Sequence, residues 1–171
     1  MRPPRSSPGH RPRWVLWAIV AVLGGLAVLR VRFLPITVQG DSMSPTLESG
    51  DWAWIDRYAY RRRPPQRNDM VVAQWQGEYI VKRVVGLPGE EIAVVDGEVW
   101  INGRPCPGTH PRRPGKLGIE TGWLLPDRFA LLGDNRSLTD TPTVHAVVRR
   151  QQIVGKVEWV LPVGAWQNPR Q

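Results

Sequence analysis

The hydrophobic pattern changes character once, near residue 35. Trp14 to Leu29 is an unbroken uncharged apolar run. As a helix rising about 1.5 Å per residue it spans about 24 Å, a little short of a bilayer core of about 30 Å. Val31, Phe33 and Leu34 extend it if Arg30 and Arg32 reach the far interface. This predicts one membrane-spanning anchor over residues 14–34, after a Pro/Arg/Ser-rich tail over 1–13 with the composition of a disordered segment. A cleavable signal sequence is the rival. Its candidate site, Gly25-x-Ala27, lies inside the apolar run rather than after it, which favours the anchor.

From Pro35 the period becomes two. Pro35–Val38 predicts a strand, and Asp51 to Arg57 sets Trp52, Trp54 and Asp56 opposite Ala53, Ile55 and Arg57. Met70–Trp75 and Glu78–Val85 flank a Gln76-Gly77 turn. Glu91–Val95 and Glu98–Ile101 flank Asp96-Gly97, a pair suited to a type I′ turn. Phe129–Leu132 and Ile153–Val160 complete the expected strands. Tyr58–Asn68 and Arg104–Leu117 read as loops. Many short strands between Gly/Pro turns predict an antiparallel β domain over residues 35–171. Strand aromatics usually pack inside, so most of the tryptophans beyond the anchor are expected in the core, with some free to meet a membrane interface.

Composition narrows the function. The 171 residues carry a net charge of +8, much of it in Arg2, Arg5, Arg11 and Arg13 ahead of the apolar run. Four arginines before the run against two after it orient the N-terminus inward and the bulk of the chain outward. Cys106 is the single cysteine, which excludes an intrachain disulfide framework. No zinc-type Cys/His spacing occurs, and no metal or cofactor is expected. Arg61–Arg63, Arg112-Arg113 and Arg149-Arg150 could touch phosphates. An outward-facing domain does not meet cytoplasmic nucleic acid, so none is expected as a partner.

Candidate chemistry centres on Gly40-Asp41-Ser42-Met43-Ser44-Pro45, where Ser42 leaves a strand and enters a turn. Such a serine is held by rigid backbone yet stays reachable, although these residues also make ordinary polar turns. A nucleophilic serine needs a base. The histidines are His10 in the tail, His110 in a Pro/Gly-rich loop and His145 beyond a turn, so a triad through His145 is open but unsupported. Gly-x-Ser-x-Gly also fails, because Ser44 takes its last position. Lys82 lies in Tyr79-Ile80-Val81-Lys82-Arg83-Val84-Val85, on the strand face of Ile80 and Val84. A lysine there is desolvated, which lowers its pKa, whereas arginine does not lose its proton. The bland alternative is a lysine snorkelling off a strand edge.

Gly40-Asp41-Ser42-Met43-Ser44-Pro45-Thr46-Leu47, Gly50-Asp51, Tyr79 to Glu90 and Gly133-Asp134-Asn135-Arg136 together resemble, in order and spacing, the boxes of type I signal peptidases. The resemblance runs from about Val38 to Pro162. It implies a membrane-anchored serine endopeptidase of β fold that removes signal peptides from secretory preproteins. It also implies a Ser42 nucleophile, a Lys82 general base, and substrates with small side chains just before the scissile bond. Gly40 stands where some members carry an oxyanion-site hydroxyl, so backbone donors such as the Ser42 N–H are expected to form that site. Thr139 falls on the hydroxyl that orients the lysine, with Ser137 as fallback, and Asp134 is read as structural support. The chain departs from the family at Thr139-Asp140-Thr141-Pro142-Thr143, where the acid is displaced and its arginine missing, and at Ala146 in place of a glycine. Two other readings stay open: a Ser/Lys peptidase maturing a conjugation or pilus subunit, and a non-catalytic tethered β domain binding partners through arginines. A self-cleaving repressor would need a DNA-reading helix pair where the apolar run stands.

Overall fold

The computed structural model describes residues 13–108, 112–139 and 144–163. The basic tail up to residue 12, His10, His110, the altered stretch 140–143 and Trp166 lie outside these. The chain divides into two units, Met1–Arg32 and Phe33–Gln171.

The first unit contains helix α1, Arg13–Arg32. Its 20 residues span about 30 Å, and the stretch Trp14–Arg32 is long and apolar enough to cross a membrane. The expected extension through Leu34 is corrected. Phe33 and Leu34 begin a strand and pair with Asp56 and Ile55. The residue before a proline avoids the helical region, and Pro35 follows Leu34.

Among its described residues the second unit forms eleven strands: β1 (Phe33–Thr37), β2 (Trp52–Asp56), β3 (Met70–Trp75), β4 (Glu78–Gly86), β5 (Glu91–Val95), β6 (Glu98–Ile101), β7 (Arg104–Pro105), β8 (Ile119–Trp123), β9 (Arg128–Leu132), β10 (His145–Arg149) and β11 (Ile153–Leu161). A seven-stranded sheet runs β1-β2-β11-β3-β4-β9-β10 and a four-stranded sheet runs β7-β6-β5-β8. Every pairing between these strands is antiparallel. The domain is therefore mainly β, as its period-two patterning requires. At the β5–β6 turn both Asp96 and Gly97 have positive φ, 49° and 76°, the geometry of a type I′ turn.

Three pieces of regular structure differ from the sequence expectation. β8 carries Glu120, Thr121 and Gly122, has little buried surface and shows no clean alternation. β10 does alternate, with Ala146 and Val148 buried between exposed neighbours, so its signal was present but short. β7 adds a two-residue strand inside the expected Arg104–Leu117 loop.

The core has three parts. Tyr60, Val71, Ala73, Ile80, Val84, Phe129, Leu131, Ala146 and Val148 fill the centre of the large sheet. Val85, Ile92, Val94, Val99, Leu124 and Leu132 join the small sheet to it. Val38, Met43 and Leu47 pack with Ala53, Ile55, Val72 and Val157. That third cluster ties the turn after β1 to the sheet. Met43 and Leu47 are almost wholly buried, each contributing about 1.5–3 kcal/mol through removal from water.

The tryptophans are another correction. None of those described in this unit is fully buried: Trp54, Trp75 and Trp100 are half-buried, and Trp52, Trp123 and Trp159 are exposed. In β2 the small face, Ala53 and Ile55, takes the core side, which leaves Trp52 and Trp54 on the other.

Candidate active site

The segment between β1 and β2 turns back on itself through its own backbone. Ser44 N–H donates to Asp41 O at 3.1 Å, and Leu47 N–H donates to Met43 O at 3.0 Å. Val38 and Gly50 close the base of the loop, with Gly50 N–H on Val38 O at 2.9 Å. Met43 and Leu47 point into the core, so Ser42 is left half-buried at the lip of the turn.

β4 brings the lysine to it. Its register with β3 sets Lys82 opposite Val71 and Ile80 opposite Ala73. Lys82 is 2% exposed, and its Nζ lies 2.5 Å from Ser42 Oγ. Burial among these neighbours pushes the amine down to about 8, against a smaller upward pull from Asp134. The desolvation expected of Lys82 is therefore present, and a snorkelling lysine is excluded by its burial. Among the described residues the Ser42 hydroxyl meets no histidine. His145 is exposed on β10, opposite Leu132.

β9 pairs with β4 from Arg83 onward and ends opposite it at Leu132. The following Gly133-Asp134-Asn135-Arg136 turn packs against the serine turn. A Cβ on Gly133 would stand 2.4 Å from Ser42 O, so only glycine allows this approach. Asp134 is fully buried. Its carboxylate accepts from Arg83 Nε at 2.9 Å, Arg83 Nη2 at 2.6 Å and Thr46 Oγ1 at 2.6 Å. Asp134 thus braces β4 to the serine turn. Asn135 donates from its backbone N–H to Ser42 O and from Nδ2 to Asp41 O, both at 3.1 Å. Arg136, 1% exposed, reaches Gly97 O at 3.0 Å and so links this turn to the small sheet. Burial holds its guanidinium down at about 10.

The other expected site residues fare differently. Gly40 has φ +81° and its N–H faces Ser49 Oγ at 3.4 Å. The Ser42 and Met43 N–H groups donate to no other described residue, which leaves them available to a ligand. Neither Thr139 nor Ser137 is hydrogen-bonded to Lys82 among the described residues. Thr139 is exposed, and the Ser137 hydroxyl is engaged by Asn135 Oδ1 at 2.5 Å. The roles of Arg83, Thr46 and Asn135 were missed by sequence reasoning. The Gly-Asp-Asn-Arg string flagged the turn but not which side chain meets which partner.

A cleft of about 650 Å³ opens beside Ser42 and Lys82, with Leu34, Ile36, Tyr79, Val81, Leu138 and Val154 in its walls. The arrangement joins a hydroxyl, a buried amine and an apolar trough in one β domain, the makings of a peptide-bond hydrolase.

Comparison with known proteins agrees. The family model for signal peptidase, peptidase S26, matches residues 11–162. A signal peptidase I from Bacillus caldolyticus is 32% identical over 164 residues, covering 86% of this chain and 88% of its own. One from Leptolyngbya laminosa is 34% identical over 139 residues, covering 75% and 66%. The crystal structure of a signal peptidase I from Enterococcus faecalis V583 overlays 56% of this chain and 98% of its own at 23% identity, with a TM-score of 0.45. The chain belongs to the signal peptidase family and, with it, to the serine endopeptidases.

Proposed function

We propose that this chain cleaves signal peptides from secretory preproteins, with Ser42 as nucleophile and Lys82 as general base. The observation that carries the reading is the 2.5 Å contact between Ser42 Oγ and the Lys82 amine, which is buried and held down at about 8. At pH 7 roughly a tenth of such an amine is neutral, against well under a thousandth of a free lysine.

In the acylation step the neutral Lys82 Nζ takes the Ser42 proton while Oγ attacks the scissile carbonyl carbon. The resulting oxyanion is met by backbone N–H donors at Ser42 and Met43. Collapse breaks the C–N bond, and the Lys82 ammonium returns its proton to the leaving amine. Water then attacks the acyl-Ser42 ester with Lys82 again as base, which releases the signal peptide's carboxylate and restores Ser42. The family resemblance implies small side chains just before the scissile bond; Leu34, Ile36, Val81 and Val154 give the cleft apolar wall for such a segment, beside Asp41, Arg57 and Glu78.

Helix α1 is the single-pass anchor in this reading, with the β domain on the outer face of the cytoplasmic membrane. The arginine excess ahead of the helix and its apolar length support this. Exposed Trp52, Trp159 and Leu161, with the Phe33 ring tilted against Trp159 at 4.7 Å between centroids, suit contact with a bilayer interface.

The test is cleavage of a preprotein by the detergent-solubilised full chain. Ser42→Ala and Lys82→Arg abolish cleavage, and the wild-type rate rises tenfold per pH unit below a midpoint near 8. Arginine keeps the charge but cannot deprotonate, so near-normal turnover by Lys82→Arg would sink the dyad. Protease added to spheroplasts digests the β domain and spares the tail; a protected domain reverses the topology.

A further inference from the structure

Ser42 and Met43 each present an N–H without a described partner, on the turn that carries the proposed nucleophile. What aims them is only partly in the turn itself. A peptide unit is planar and trans, so its C=O and N–H point in opposite directions. Fixing the carbonyl of Asp41 therefore fixes the direction of the Ser42 N–H, and fixing the carbonyl of Ser42 fixes that of Met43.

Asn135 holds both carbonyls. Its backbone N–H donates to Ser42 O and its Nδ2 to Asp41 O. Asp41 O also receives Ser44 N–H, so both of its lone pairs are used. The orientation of the Asn135 amide is set from behind, because Oδ1 accepts from Ser137 N–H at 3.2 Å and from Ser137 Oγ at 2.5 Å. Nδ2 is thus turned towards Asp41. Asn135 is itself 3% exposed, so its side chain is held in one place between these partners. Gly133, two residues earlier, keeps the same loop within reach.

We propose that Asn135 is the positioning residue of the oxyanion site, setting the aim of the Ser42 and Met43 amides through the two carbonyls it grips. Ser137 acts one step further back, by fixing which way the Asn135 amide faces. The proposal rests on Ser42 being the nucleophile. It differs from the family-implied role of Ser137, because the group being oriented is the oxyanion site and not Lys82.

The side-chain bond is removed by Asn135→Ala, and Asn135→Asp sets an oxygen against Asp41 O. Cleavage of a preprotein by the full chain is measured together with inhibition by two peptides ending at the cleavage site. One ends in an aldehyde, which adds Ser42 and forms an oxyanion; the other ends in the corresponding alcohol, which forms none. With Asn135→Ala, kcat falls about 10- to 100-fold, less than for outright loss of an oxyanion donor. The aldehyde loses affinity by the same factor, whereas KM and alcohol binding stay within about twofold and the pH midpoint stays near that of the wild type. Asn135→Asp loses more, and Ser137→Ala shows the same signature more weakly. Asn135→Ser, too short to reach Asp41, repeats the pattern should the alanine variant fold poorly. Equal weakening of aldehyde and alcohol, a shifted pH midpoint or wild-type kcat overturns the proposal. Separately, aldehyde binding as tight in Ser42→Ala as in the wild type overturns the dyad reading itself, whatever Asn135 does.

Discussion

Lys82 and Arg83 are consecutive on β4, point to opposite faces, and are buried to nearly the same degree, 2% and 5% exposed. Their surroundings could hardly differ more. Arg83 meets a carboxylate with Nε and Nη2 of its guanidinium and a backbone carbonyl, Asn68 O, with Nη1. Lys82 meets a neutral hydroxyl. A buried cation with a matched anion is a brace; a buried amine without one resists its charge, which is what the proposed role as base requires. One strand supplies both, because alternation hands adjacent residues to different environments.

The largest expected effect is on the paired side. Asp134→Ala leaves Arg83 buried without its anion and destabilises the domain by about 3–5 kcal/mol, read by denaturant unfolding. The same change removes a negative charge that raises the Lys82 pKa, so the pH–rate midpoint moves down. A loss below about 1 kcal/mol would show that the pair is no brace.

Next comes the unpaired side, with the opposite sign. The folded pKa of Lys82 lies below its ordinary value of 10.5, so the folded state binds its proton less tightly than the unfolded state. The resulting penalty is full below pH 8 and fades as pH rises towards 10.5. Lys82→Met therefore inactivates the enzyme yet stabilises it by about 3 kcal/mol at pH 7, and the gain shrinks across that window. A gap that does not change with pH would place its origin in packing.

A smaller effect belongs to the bond between the two regions. Thr46→Val removes the hydroxyl from Asp134 and costs about 1.5–3 kcal/mol, with the pH midpoint unmoved. The smallest belongs to Thr139. Exposed and without a described bond to Lys82, Thr139→Ala changes stability by less than about 0.5 kcal/mol and leaves kcat as it was. A slowed Thr139→Ala enzyme would restore the orienting role that the family resemblance assigned to it.

Much of the frame was legible in the chain. The apolar run, the period-two strands, the Asp96-Gly97 turn and the Ser42 and Lys82 boxes are local patterns, and local patterns survive into the fold because backbone geometry enforces them. β8 was not legible, since an exposed strand has no core face to imprint alternation. The tryptophans misled for a related reason: their β-propensity says that they fit a sheet but not which of its faces is covered.

The sequence by itself determined which groups are capable of the chemistry: a reachable serine, a lysine on an apolar strand, and a Gly-Asp-Asn-Arg turn. Tertiary structure alone decided that they meet. Ser42 and Lys82 are 40 residues apart, and Asn135 stands 94 from the carbonyl its side chain holds. The register of β4 between β3 and β9 closes those distances. Register is set by the summed burial of whole strands, so no single motif encodes it.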